Sequence, residues 1–342
     1  MTDSSTSLDP KETSDIPTTQ TAYRRHLLKT IDPKELIATD QAYEHIHQDK
    51  KEVLQRFRTC RNHAVFLRSA ETGHIRVRST HCRLRWCPLC ARSRAFFVAQ
   101  QTQNWVADAV EPAFLTLTLK HSSAPLRDQC QALVRYFKTL RTHKSLRKKI
   151  RGGIWFLQVT YNPTLSQWHP HLHILLDMQF VPQTHLSKLW NSITHGSAIV
   201  DVRRVKSPNH AAKYVSRYVA RPIDLSTLSD AARVVVIQQL HGLRLLNAFG
   251  TAHAAKVINR PKFDPQEWQY LGSFAYIQSM RDLQDECMFI WQAWKAQTPL
   301  LQPLDVWLEF EPRPPGPKPK PPPPPKQETL WHDVDDAPYW RI

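Results

Sequence analysis

The sequence predicts an α+β fold in which helices cover one face of an antiparallel sheet. Three observations carry this: β-branched alternation in short segments, amphipathic helical spacing between them, and two strand-like segments joined by a turn in the middle of the series. Residues 113–120 (AFLTLTLK) alternate as a strand does. From Asp128 onward, Leu133, Phe137 and Leu140 recur at helical spacing. Residues 154–161 (IWFLQVTY) read as a second strand, 162–168 as the loop that turns it back, and 171–177 (HLHILLD) as a third. Leu186, Leu189, Trp190 and Ile193 mark a second helix, and 198–205 (AIVDVRRV) a fourth strand. Ser207 then reads as an N-cap with Pro208 at N1, opening a helix that runs to about residue 220.

This β-α-β-β-α-β order is that of the split βαβ, ferredoxin-like sheet. Around it the chain divides into a Ser/Thr/Asp-rich, disordered segment at 1–20, a helical segment at 21–56, a Cys-rich element at 57–95, the α+β domain at 96–222, a helical extension at 223–311 and a Pro-rich tail at 312–342. The run PRPPGPKPKPPPPPK within that tail is expected to be a polyproline II spacer.

The chain has 342 residues and a formal charge of +16, with 41% hydrophobic and 10% aromatic side chains, which excludes wholesale disorder. Residues 1–20 carry −3 and 312–342 carry +1, leaving +18 on the body between them. That charge is concentrated in acid-free blocks at 76–94, 141–151 and 203–221, which points to a polyanion: nucleic acid first, an acidic membrane surface second. The N-terminus has no charged region leading into an apolar stretch, and no apolar run approaches the roughly 20 residues that span a bilayer. A cytoplasmic protein with no membrane partner is expected. Its six cysteines then read as thiols or metal ligands, not as disulfides.

Cys82, Cys87 and Cys90 are clustered as C-x4-C-P-x-C, with Cys60 upstream. Four thiolates close a tetrahedral Zn2+ site, and two on one tight loop lose little chain entropy in doing so. His63, His74 or His81 stand as alternatives for the fourth ligand. The site reads as structural, presenting Arg83, Arg85, Arg92 and Arg94 to DNA.

His171 and His173, two apart on a strand, leave the same face of the sheet and form half of a divalent-metal site. Gln158 on the neighbouring strand offers a third ligand through its carbonyl oxygen, and Thr116 and Thr118 line the same area. His169, in the preceding loop, is less well placed. On the helix after the fourth strand, Tyr214 and Tyr218 are spaced i, i+4 and share a face with His210, flanked by Lys213, Arg217 and Arg221. A phenol of pKa near 10 needs cationic surroundings or a base to become a nucleophile.

FLTLTLK (114–120), HPHLH (169–173) and KYVSRY (213–218), in that order, resemble motifs I, II and III of the HUH endonucleases, and specifically those of plasmid rolling-circle replication initiators. The interleaved cysteines and arginines upstream and HGLRLLNAFG (241–250) downstream are similar to the same group, so the resemblance covers 57–252. It implies that 96–222 is a nicking domain, that His171, His173 and Gln158 hold Mg2+ or Mn2+, and that Tyr214 attacks the origin strand to leave a 5′-phosphotyrosyl bond and a free 3′-OH. It also implies single-stranded and hairpin origin DNA as substrate, with a host helicase and DNA polymerase as partners. Two positions depart from the family pattern: Gln158 stands where an acid is usual, and His210 where a glutamate is usual. Either His210 is the base for the terminating step or Tyr218 performs a second transesterification.

A transposase of the same chemistry would use similar residues. A conjugative relaxase usually places its tyrosine ahead of a three-histidine motif, unlike this chain. A zinc-dependent DNA-binding regulator without catalysis would be indifferent to Tyr214→Phe. No Walker-type phosphate loop is present, so unwinding is left to a partner.

Overall fold

A computed structural model describes residues 22–301 except 49, 121, 221 and 260–262. The expectations for 1–20 and 312–342 lie outside the described residues. Helices α1 (Ala22–Leu28), α2 (Pro33–Ile46) and α3 (Lys51–Arg58) precede the hairpin of β1 (Ala64–Ser69) and β2 (Ile75–Ser79). The long α4 (Pro88–Ala107) leads into β3 (Pro112–Thr118), α5 (Leu126–Thr142), β4 (Ile150–Asn162), β5 (Gln167–Met178), α6 (Gln183–Thr194), β6 (Val200–Arg204) and α7 (Pro208–Ala220). After these come α8 (Asp230–Gln239), β7 (Leu246–Gly250), α9 (Thr251–Ala254), β8 (Trp268–Ser273), α10 (Phe274–Met280) and α11 (Asp285–Ala296).

The chain forms two compact units. Among the described residues, one takes 22–31, 50–82 and 264–301; the other takes 32–48 and those within 83–263. In the first, β2-β1-β8 form an antiparallel sheet whose core is Phe66, Ile75, Phe274, Ile277 and Ile290, with Phe66 stacked on Phe274 at 5.3 Å.

In the second, five antiparallel strands lie in the order β6-β3-β5-β4-β7. The expected α+β class with an antiparallel sheet is what the chain adopts. The expectation of helices on one face is corrected, because both faces of this sheet are covered. Phe114, Ile154, Phe156 and Leu175 pack under α4 and α7 through Val98, Trp105, Ala211, Val215 and Val219. The alternate residues Trp155 and Leu157 face α5, lining a cavity with Cys130 and Val134. The physical reason lies in the strands themselves. Ile154, Trp155, Phe156 and Leu157 are all buried, as are Leu172, Ile174, Leu175 and Leu176, so neither face tolerates water. The segment after 222, read as helical, also contributes strands. β7 pairs with Gly152–Phe156 of β4, and β8 joins β1. Among the described residues no helix is long and apolar enough to cross a membrane.

Candidate active site

β5 is the central strand, and its period of two sets His169, His171 and His173 on one face with Leu175. His169, expected in a loop, is therefore in the strand; its Nε2 lies 3.1 Å from the Leu119 carbonyl and its ring 4.4 Å from that of His171. In register, His173 faces Thr116 of β3, while His171 lies between Thr118 and Gln158. Thr116 Oγ1 and Thr118 Oγ1 are each 3.3 Å from Nδ1 of their histidines. On the other edge, Nε2 of His171 is 3.3 Å from Thr160 Oγ1 and Nε2 of His173 is 2.7 Å from Gln158 Oε1. An amide oxygen only accepts, so Nε2–H of His173 is the donor and its Nδ1 the acceptor. That Nδ1 takes the hydroxyl hydrogen of Tyr214 at 2.9 Å.

His173 is 8% exposed. Burial, with the charge of His171 behind it and Asp201 opposing, lowers its pKa to about 4. It is a neutral imidazole near pH 7, the form that ligates metal.

Helix α7 opens as the sequence predicts, with Ser207 Oγ accepting from the His210 amide at 3.1 Å. Its buried stripe Ala211, Val215 and Val219 fixes the rotation that turns both tyrosines onto the histidine face. The Tyr214 ring lies 4.0 Å from that of Phe114, and Tyr218 stacks on His173 at 4.0 Å and 18°. The two tyrosine rings are 4.8 Å apart. Burial pushes the Tyr214 phenol above its ordinary pKa, with the Thr116 hydrogen bond working the other way. His210 is exposed, its ring edge-on to Phe114 at 5.2 Å. Lys213 and Arg217 are exposed on the same helix, and Arg221 lies outside the described residues.

Asp201 is a neighbour that the sequence reading missed. On β6 it pairs with Thr116 of β3 and holds Arg203 at 2.9 Å; its charge opposes the lowering of the His173 pKa and adds to the raising of that of Tyr214. The alternation in VDVRR, with Val200 buried, was the available signal.

Cys60, Cys82, Cys87 and Cys90 are all buried, and their sulfur atoms lie within 4.8 Å of one another. A tetrahedral zinc–sulfur site needs sulfurs about 3.8 Å apart, so this cluster can hold a metal. Cys87 caps α4 with Pro88 at N1, and the Cys82 amide donates to Cys60 Sγ at 3.4 Å. Of the histidines considered as the fourth ligand, His81 meets Arg61 at 2.9 Å instead. The four arginines interleaved with the thiols are not equivalent. Arg92 is exposed and Arg83 half-buried. Arg94 is 7% exposed. Arg85 donates to the Leu243 carbonyl at 2.6 Å, and burial beside Arg94 lowers its pKa to about 10. Two of the four, Arg85 and Arg94, are thus part of the packing.

A model of the replication protein family matches residues 75–298, a span that contains the strand histidines, the tyrosine helix and three of the four cysteines. The chain belongs to this replication protein family. It is 29% identical over 168 residues to Protein rep of Bacillus amyloliquefaciens, covering 44% of this chain and 50% of that one. It is 28% identical over 164 residues to Protein rep of a Bacillus species, covering 43% and 53%. Against Protein rep of Lactiplantibacillus plantarum it is 28% identical over 195 residues, covering 49% and 62%. The chain thus spans about half the length of the first of these curated relatives. No solved structure matches this replication protein.

Proposed function

We propose that the chain is a cytoplasmic initiator of plasmid rolling-circle replication, nicking and rejoining one strand at the origin through a 5′-phosphotyrosyl bond on Tyr214. The observation that carries the reading is the 2.9 Å contact between the Tyr214 hydroxyl and His173, on a face that also holds His171 and Gln158. The nicking domain is 96–222, and the strand order β6-β3-β5-β4 with its two helical crossovers supports its assignment to the ferredoxin-like class.

His171 Nε2, His173 Nε2 and Gln158 Oε1 would hold the Mn2+ or Mg2+; the amide oxygen is the hard donor of the set, and its two imidazole nitrogens favour Mn2+ over Mg2+. A bound ion supplies positive charge to polarise the scissile phosphate. With Nε2 given to the ion, the His173 proton would move from Nε2 to Nδ1, and the contact with Tyr214 would reverse, Nδ1–H donating to the Tyr214 oxygen. Tyr214 forms the O–P bond as the P–O3′ bond breaks; the phenol proton passes to solvent and the departing 3′-oxygen takes one up, leaving the free 3′-OH. Tyr218 holds the His173 ring by stacking and is placed for a second transesterification; His210 is the alternative base for termination. Lys213, Arg217, Arg92 and Arg83 contact the phosphates of single-stranded and hairpin origin DNA. The thiol cluster holds a structural Zn2+, and a host helicase and polymerase act on the nicked strand.

The test is incubation of purified protein with Mn2+ and circular single-stranded DNA of its replicon, resolved on a denaturing gel. A protein–DNA band is expected for wild type and Tyr218→Phe and not for Tyr214→Phe. Tight DNA binding without any adduct would reject the nicking reading in favour of a non-catalytic regulator.

A further inference from the structure

Beyond Gln158 the site continues into a cavity of about 670 Å3, within the roughly 300–1,000 Å3 of small-ligand sites. Gln158, Tyr161, Arg217, Ile223, Asp224 and Leu228 line it. Its two walls are fixed by the chain. The Val159 amide donates to the Pro222 carbonyl at 2.8 Å, laying the segment after α7 along β4. Tyr161 packs its ring against Trp168 at 4.4 Å and 39°. Asp224 Oδ1 accepts from the Ser226 amide at 3.0 Å and the Ser226 hydroxyl at 2.6 Å, which holds its carboxylate in place. The cavity thus has an aromatic wall, apolar sides in Ile223 and Leu228, one fixed carboxylate, and one exposed guanidinium, Arg217.

We infer that this cavity takes a single nucleobase of the strand beside the scissile phosphate, stacked on Tyr161, with Arg217 holding the adjoining phosphate and Asp224 selecting a base that bears an exocyclic amino group. The placement beside the scissile phosphate rests on the nicking reading; the base site itself does not. A carboxylate repels phosphate and accepts from N–H, so the base enters and the backbone stays with Arg217. Cytosine, adenine and guanine present an amino group, and thymine does not. Stacking itself tolerates any base.

The test measures binding of the full chain carrying Tyr214→Phe, with no added divalent metal, to dC10, dT10 and an abasic ten-mer. Homopolymers put the same base in the cavity in every register. Tighter binding of dC10 than dT10 is expected, lost in Asp224→Asn. Tyr161→Ala should weaken dC10 by roughly 10-fold and leave the abasic ten-mer unchanged, while Tyr161→Phe retains the affinity. Equal weakening of dC10 and the abasic strand by Tyr161→Ala, no weakening of either, or a dC10 preference that survives Asp224→Asn overturns the inference. Base-dependent binding without a wild-type covalent adduct would leave the base site standing and reject nicking; an adduct without base dependence would do the reverse.

Discussion

The Tyr214 hydroxyl on α7 lies 2.9 Å from Nδ1 of His173 on β5, while Nε2 of the same imidazole meets Gln158 of β4 at 2.7 Å. One ring therefore joins the proposed nucleophile to the proposed ligand set. Substitutions along this line are expected to separate metal binding from chemistry. His173→Ala should lose both Mn2+ binding and adduct formation, whereas Tyr214→Phe keeps Mn2+ binding, followed by calorimetry, and loses the adduct. Tyr218→Phe preserves the stack. Tyr218→Ala removes a ring contact of about 0.5–1.5 kcal/mol and should slow adduct formation by no more than roughly 10-fold.

Gln158→Glu adds a charged oxygen 2.7 Å from His173 Nε2. An anionic ligand binds hard cations more tightly than an amide, so Mn2+ affinity should rise by roughly 10-fold. Adduct yield titrated against Mn2+ would reveal it; an unchanged midpoint would remove Gln158 from the ligand set.

Cys60→Ser opens the buried thiol cluster. Zinc content by mass spectrometry should fall from one ion per chain to none, and the melting temperature should drop by at least about 5 °C. Equal zinc content in both proteins would contradict a four-thiolate site.

Asp177, next to the last residue of β5, accepts from Arg151 at 2.7 and 2.9 Å and from the Glu111 amide at 2.9 Å. Burial raises its pKa, but these bonds outweigh it and the carboxyl titrates below its ordinary value. Its stabilisation is therefore complete above about pH 4, the unfolded value, and lost as pH falls through the lower folded value. Asp177→Asn should cost about 1–3 kcal/mol at pH 7 and much less at the acid end, as read from denaturant midpoints.

Gly250 closes β7 at φ +57°, and a Cβ there would run into the Arg151 carbonyl oxygen. Gly250→Ala should cost about 1–3 kcal/mol, and hydrogen exchange should locate the loosening at β7 and its partner residues Gly152–Phe156.

The order of strands and helices from β3 to α7, the shared face of His171 and His173, the shared face of Tyr214 and Tyr218, and the cap at Ser207 were all determined by the sequence. Each is a local property, set by a period of 2.0 or 3.6 residues or by turn chemistry within a few positions. The tertiary structure alone decided what depends on distant partners. Helix α7 covers the face opposite α5 because IWFL and LHILL bury both sides of the sheet; that apolar run was visible, yet it does not say which helix covers which side. Arg85 and Arg94 are packed because Leu243 and the α4 core surround them, which no spacing within CRLRWCPLCARSR could reveal. Asp201 and Gln158 arrive beside His173 through strand register across three chain segments, and β7 pairs with a strand some ninety positions earlier. Periodicity sets which way a side chain points, but only long-range pairing sets what it meets there.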